Sequence, residues 1–454
     1  MSITVAPEYG AVVTLEDTSG NKAVFNNDAS SDYIGPIFAE ECSGLDGAEV
    51  REDSWDKTQD DGGVHGTFLF GRRPVILVGQ ITQTSATQRN ERAMKLQRVL
   101  ANGLRSDIKM KWKPTGSTEE VELRLRLQQP FRLTGTYNKK FMVALVSADP
   151  NIKGVTLNEA SGSPTSQNKT PGKVEETSNF AEGTGTWTTP ENAKVNDAAY
   201  ATSVSKSSIK SKALKAKEFG FTIPENSLLQ NIKVEIDRQT TSGSSTETLW
   251  LKVGTGVSAI NNSPFDIWPN ADAIKSVEKA ASKWQASGLK FWSDANSASF
   301  YAEIAAWNNS VSESTLKVDM IKLTVNYFPP LTVTNEGTAE TGGWIKVSQD
   351  SGGGKIVNPV VYDFTTEKQI SLIGEIPSST ALWINLDNRT LCLRSSALSE
   401  PPTVAAELNN AASFLDVANT QWFKFKPGAN KLAFEGSELT GTNSMKVFFQ
   451  NAWV

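Results

Sequence analysis

The sequence predicts a mainly β protein: a β domain with one α-helix, then a jelly-roll β-sandwich, then a second β-sandwich. Three observations predict this class. Glycine, serine, threonine and asparagine are plentiful along the 454 residues, and these residues break a chain into short elements joined by turns. Apolar and polar residues alternate in many short windows, as in Ile232/Val234/Ile236 and Ile321/Leu323/Val325, which is the period of a half-buried strand. Long amphipathic helices are scarce; the clearest helical period is Ala93, Leu96, Leu100 and Leu104.

Residues 1–67 read as short strands and loops. Residues 11–15 and 23–25 predict a hairpin across the turn cluster that starts at Asp17. Residues 44–66 are acidic and glycine-containing and predict an exposed loop. Asp60 and Asp61 could contribute oxygens to a cation, but no further ligands follow at the spacing such a site needs. His65, the single histidine, reads as an exposed loop residue rather than a ligand or base.

Residues 68–150 carry strand, helix, strand and hairpin. Ser85 and Gln88 have capping-box spacing at the helix start, and Asn102-Gly103 supplies its stop. Val121, Leu123, Leu125 and Leu127 alternate with Glu122, Arg124 and Arg126, so one face is buried and the other wet. Residues 141–148 are almost continuously apolar, which predicts a strand covered on both faces.

Residues 161–176 read as a linker, too polar and turn-rich to bury a core. Residues 177–328 form a compact β module with strand signals at 219–223, 232–236, 249–253, 299–305 and 316–325. Pro329-Pro330 opens a last domain, 329–454. Its strands are signalled by Trp344 to Val347, Leu382/Ile384/Leu386, Leu391/Leu393 and residues 445–449, with a hairpin over 421–434 turning at Pro427-Gly428. Three glycines precede Lys355, but their spacing is wrong for a phosphate loop, so they read as a hairpin turn.

No run of eighteen apolar residues predicts a membrane span, and the first residues lack the basic and apolar segments of a secretory signal. Cys42 and Cys392 lie far apart and are expected to be unpaired, as suits assembly in a reducing cytoplasm. The net charge of −5 hides a polarity. Residues 1–71 hold 14 acidic and 3 basic residues; residues 72–140 hold 15 basic and 5 acidic ones. Solvated faces explain this most simply. Alternatively an acidic edge of one subunit meets a basic edge of the next in a head-to-tail ring, with Arg72, Arg73, Arg89 and Arg92 at the interface. A nucleic-acid face is the third reading, disfavoured because no stacking aromatics are interleaved.

Six of the twelve tryptophans fall in 177–328. Trp187 and Trp250 lie in strand-like contexts and read as core. Trp268, Trp284 and Trp292 lie in irregular segments, where exposed rings could stack on sugars, or could fill the sandwich core instead. A glycosidase would need two nearby carboxylates; Asp237, Asp266 and Glu303 are conceivable, and nothing in the sequence marks them. One histidine and two distant cysteines leave no familiar triad or zinc site, and no cofactor is expected.

Phe70-Gly71-Arg72-Arg73, the strand containing Gly79, the helix, and a hairpin ending at Ser147-Ala148-Asp149-Pro150 resemble the ring-forming domain of distal tail proteins (Dit) of long-tailed, siphovirus-type phages. Asn358-Pro359, Gly374 with Ile376-Pro377, Asp387-Asn388-Arg389, and Trp422-Phe423 followed by Pro427, Gly428 and Asn430 resemble that family's galectin-like C-terminal domain. Gly185-Thr186-Trp187, Ala199-Tyr200-Ala201 and residues 219–224 resemble carbohydrate-binding-type sandwich modules. The resemblance therefore implies a ring-forming (belt) domain at 1–160, an inserted sandwich at 177–328 and a galectin-like domain at 329–454. It further implies a non-enzymatic hexamer at the virion tail tip, between the tail tube protein and the hub or tail-associated protein. Tape measure and receptor-binding proteins would be further neighbours. DNA would pass only as cargo, no membrane would be bound, and a host cell-surface polysaccharide would be the ligand of the inserted module.

Overall fold

The computed structural model describes residues 10–38, 41–43, 50–56, 63–70, 72–82, 85–114, 117–129, 131–134, 139–149, 151–177, 184–205, 210–241, 246–255, 267–284, 288–308, 312–351, 354–402, 411–439 and 442–453. Side chains of residues 50–70 lie outside this description, as do Asp60, Asp61, Asp266 and the whole of Gly71. Three large apolar cores organise the rest.

The first core belongs to a curled sheet with one helix. The strands run Tyr33–Gly35, Lys22–Phe25, Val13–Glu16, Ile108–Trp112, Val121–Leu127, Lys139–Ser147 and Arg73–Ile81 across the sheet. The sheet's two ends then approach each other. The amide of Phe38 donates to Val78 O at 2.9 Å, Gln80 N to Pro36 O at 3.0 Å, and Ile76 N to Ser43 O at 3.0 Å. Gly79 permits this approach, because a Cβ there would lie 2.5 Å from the Phe141 ring and 2.6 Å from Pro36 O. Helix Ala86–Asn102 lays Ala93, Leu96, Val99 and Leu100 against this core, beside Phe25, Leu77 and Trp112. Leu104, at the helical spacing but past the end, is 62 % exposed.

Ser85 is the N-cap, yet its side chain makes no capping hydrogen bond. Gly103 ends the helix at φ −64°, not in the left-handed region; its role is space, since a Cβ would lie 3.0 Å from Ile108 Cγ1 and closer still to Cδ1. The acidic stretch expected to be a loop holds two paired strands, Val50–Asp56 and Gly63–Phe70, the second containing His65. Lys139–Ser147 is buried on one face only: Phe141, Val143 and Leu145 point inward, while Met142 is 58 % exposed.

The first hairpin, Val13–Glu16 with Lys22–Phe25, is locked by Asp17. Its Oδ1 accepts from the amides of Ser19 (2.9 Å) and Asn21 (2.8 Å), and its Oδ2 from Asn102 Nδ2 at the helix end (2.6 Å). Burial pushes this carboxyl up, but the hydrogen bonds from Asn21, Asn102 and the amides outweigh it and hold its pKa below the usual value. Replacing Asp17 by alanine leaves those donors unmatched and is expected to cost about 1–3 kcal/mol in urea unfolding. Because the folded pKa is lowered, this contribution is present at neutral pH and fades as pH falls through that lowered value.

The second core fills a sandwich whose six-stranded sheet includes Leu228–Thr240 and Ser314–Phe328, facing a four-stranded sheet that includes Phe300–Asn308 and Thr246–Thr255. From Ala201–Ser205 onward, successive strands alternate between the sheets, the jelly-roll manner of winding. The stretch 161–176 is not a linker. Thr165–Lys169 pairs with Ser314–Phe328, and Lys173–Thr177 with Ala213–Lys217. Both are polar strands at sheet edges, where outward side chains face water, so composition cannot separate them from a linker.

The third core lies between two sheets of the last domain, with Ile345, Val347, Leu382 and Val447 on one and Val333, Val361, Leu432 and Phe434 on the other. Asn358 and Gly374 exchange hydrogen bonds: Asn358 N donates to Gly374 O at 2.8 Å and Gly374 N to Asn358 Oδ1 at 2.9 Å. Buried Asn430 clamps its turn, accepting from Lys426 N and donating to Lys426 O, Gly428 O and Val333 O. Only the returning arm of the expected 421–434 hairpin is a strand, Gly428–Glu435; the first arm is bridged once, Phe425 with Thr341. Asn158–Gly162 pairs with Thr442–Phe449, and the final strand, Ala452–Trp453, pairs with Ile152–Gly154 of the first domain. The chain's two outer parts are thereby stitched together.

Candidate functional site

The side chains singled out in the sequence fall in different surroundings. Trp268 and Trp284 are fully buried in the middle sandwich. The indole of Trp268 donates to Thr248 Oγ1 at 3.1 Å, and that of Trp284 to Ile232 O at 3.2 Å. Neither ring offers a face to a sugar. Their segments looked irregular, but Ala273–Ala280 is a strand on the six-stranded sheet and the 3-10 turn Ala281–Lys283 folds Trp284 under it. Trp292 opens the short helix Trp292–Asn296 and packs, partly buried, on the same core.

The four arginines are not one surface either. Arg73 is fully buried, whereas Arg72 beside it is exposed. Arg92 donates to Thr82 O at 2.7 Å and stacks over Tyr33, 4.7 Å from its centroid. Arg89 is partly exposed on the same helix. Part of the charge polarity is satisfied inside the domain, through Lys111 with Glu16 at 2.8 Å and Lys95 with Asp32 at 3.1 Å. Lys355 pairs with Glu375 and Glu438, and the strands before and after it, Trp344–Ser351 and Ile356–Val357, lie in different sheets, so it does not sit in the hairpin turn that the sequence predicts.

A surface expected from its apolar run to be buried lies on the outward side of two paired strands. Opposite Met142, Ala144 and Val146 of Lys139–Ser147 stand Val78, Ile76 and Pro74 of Arg73–Ile81. All six are at least partly exposed. The apolar run that predicted burial on both faces is real, but among the described residues only one face is covered.

The densest chemistry sits on the middle sandwich. Asp237, Asp272 and Asp319 each place a carboxylate oxygen within 4.8 Å of the others. Asp237 and Asp319 are buried and Asp272 is exposed. A bulge creates the arrangement: Asp237 pairs with Met320 and Arg238 with Val318, so Asp319 is an extra residue in its strand. Asp319 accepts from the amides of Asp197 (3.3 Å) and Ala198 (3.0 Å). Asn196 Nδ2 donates to Asp237 Oδ2 at 2.5 Å, and the Tyr200 hydroxyl to Asp272 Oδ2 at 3.0 Å. Burial first, then the Asp272 charge and a hydrogen bond with Asp272, then the Asp319 charge, push Asp237 up to about 6. Glu303, the other conceivable acid, stands on the opposite sheet. A signal for the bulge was legible: the inward residues change parity between Leu316/Val318 and Ile321/Leu323/Val325.

No family model matches the chain, and no curated protein matches it. Solved structures do match. The crystal structure of the Dit protein (gp 19.1) of phage SPP1, described as a paradigm of the hub adsorption apparatus in phages infecting Gram-positive bacteria, is 9 % identical at a TM-score of 0.42. The match covers 98 % of this chain and 100 % of that one. The phage P2 baseplate in its activated conformation with Ca is 8 % identical, and the phage p2 baseplate in its activated conformation with Sr is 10 % identical, each at a TM-score of 0.37 over 96 % of this chain and 97 % of the other.

Proposed function

We propose that this chain is a structural subunit of a phage tail tip, a distal-tail-type protein whose copies form a hexameric ring. The observation that carries the reading is the uncovered apolar face formed by Pro74, Ile76, Val78, Met142, Ala144 and Val146. Two adjacent strands with such an outward face belong against another protein surface. In the proposed ring that surface is a neighbouring subunit or an adjoining ring, and Arg72 at the strand's start borders it. The resemblance of the motifs at both ends of the sequence to the distal tail family supports the neighbours we assign: tail tube protein above, hub or tail-associated protein below, tape measure and receptor-binding proteins beside them, DNA passing through.

The middle sandwich fits an insertion. Its first strand, Thr165–Lys169, lies beside its last, Thr165 opposite Tyr327, so the chain leaves and rejoins the outer domains at one place. Whole modules are tolerated where their ends meet. Leu228 and Phe328 enter the third core, and Lys290 pairs with Glu435 at 2.9 Å, so the module is docked rather than swinging free. We assign it to host adhesion through a polysaccharide, with weak single sites raised by ring multiplicity by roughly 10²–10⁴. A ligand-free spacer is the second reading, favoured by the burial of Trp268 and Trp284. A cell-wall pull-down with the whole protein separates the two.

Native mass spectrometry and negative-stain micrographs test the assembly. The expected species is a pored ring of six. Met142→Glu places a charge on the apolar face at a residue 58 % exposed. It should shift the ring to smaller species while stability changes by no more than about 0.5 kcal/mol. A wild-type chain that stays monomeric at high concentration overturns the proposal.

A further inference from the structure

We propose that Asp237, Asp272 and Asp319 form a binding site for a hard divalent cation of the calcium class, on the middle sandwich. The three carboxylates come from separate segments: Asp237 from Leu228–Thr240, Asp319 from the bulge in Ser314–Phe328, and Asp272 from the turn before Ala273–Ala280. Proximity alone would not make a site. The second observation is Asp237 itself, only 4 % exposed, whose Oδ1 is buried with no hydrogen-bond partner outside the three carboxylates. Its Oδ2 is already engaged by Asn196. A buried carboxylate oxygen without a donor is costly, and proteins match such atoms with a hydrogen bond, a counter-charge or a metal.

The surroundings hold the ligands as a coordination sphere requires. Asp319 is oriented by two backbone amides and Asp272 by the Tyr200 hydroxyl, contacts that fix carboxylates while leaving other lone pairs open. An all-oxygen set drawn from three segments suits calcium, which accepts irregular geometry and several carboxylates; magnesium demands a tighter octahedron, and zinc prefers nitrogen and sulfur. The exposed Asp272 leaves an open side for water. Bound there, the cation would tie the segment from Asn196 to Tyr200 and the Asp272 turn to the sheet. A retaining-glycosidase pair also needs close carboxylates, but Asp319 is 0 % exposed and cannot reach a sugar.

The test uses the full chain, stripped with EDTA and dialysed. Millimolar CaCl2 is expected to raise the thermal midpoint by several degrees, with half-saturation on the order of 10⁻⁴–10⁻³ M, while MgCl2 does less. Terbium should show luminescence sensitised through Tyr200, which calcium displaces. Asp272→Asn, at an exposed position, should leave circular dichroism unchanged and weaken binding at least tenfold. Asp319→Asn should abolish binding where it folds. Absence of both the calcium shift and the terbium signal in the wild-type chain overturns the site. So does an Asp272→Asn variant that binds as well as wild type. Cation-independent release of reducing sugar from cell-wall glycan would replace the site with the hydrolase reading.

Discussion

Trp284→Ala is expected to destabilise the middle sandwich by about 3–5 kcal/mol, the range for emptying a large buried aromatic. Trp284 is fully buried among the core residues of that module. Its indole also donates to Ile232 O, so truncation leaves that carbonyl without its side-chain donor as well as opening a cavity. Trp268→Ala should behave alike, since its ring is equally buried and lies beneath Arg238, 5.5 Å away. Urea unfolding followed by tryptophan fluorescence and by circular dichroism measures the effect. A variant that keeps wild-type stability and loses only glycan binding would show that these rings face ligand rather than core. Trp292→Ala, at a partly buried position, should cost less.

Gly337→Ala should cost about 3–5 kcal/mol and loosen the last strand, a penalty expected when a small-to-large change meets backbone that cannot give way. A Cβ at Gly337 would lie 2.5 Å from Ala452 C and 2.6 Å from Ala452 N, with the carbonyl oxygen nearer still. These are backbone atoms and cannot rotate away. The strand they belong to is the clasp of the molecule. Ala452 N donates to Asn335 Oδ1, Ala339 N donates to Ala452 O at 2.9 Å, and Gly154 N donates to Asn451 O at 2.8 Å. Trp453 packs into the first core. Hydrogen exchange should therefore accelerate at Ile152–Gly154 in this variant, although that strand is remote in sequence. Unchanged exchange there would mean that the outer domains do not depend on the clasp.

Fold class was readable because it rests on local periodicity. Ile232, Val234 and Ile236 alternate, and all three are buried. Ala93, Leu96 and Leu100 follow helical spacing, and all three line the first core. Polar edge strands were not readable. Thr165–Lys169 and Lys173–Thr177 contain one apolar residue between them, Val174, which enters the second core; the rest is held by strand pairing at the sheet edges. Tryptophan placement was ambiguous for a related reason: the Trp268 and Trp284 segments gave no strand signal, yet sheet neighbours bury both rings.

From the sequence by itself follow the β class, the long helix after Ser85 and the apolar strands that begin near Val75 and Phe141, since each is a matter of spacing along the chain. Tertiary structure alone decided that the last two residues of strand meet Ile152 and Lys153, that Arg73 is inside while Arg72 is outside, and that three aspartates 35 to 82 positions apart converge. Such convergence depends on strand register and one bulge, and register is set by long-range hydrogen bonding that no local window contains.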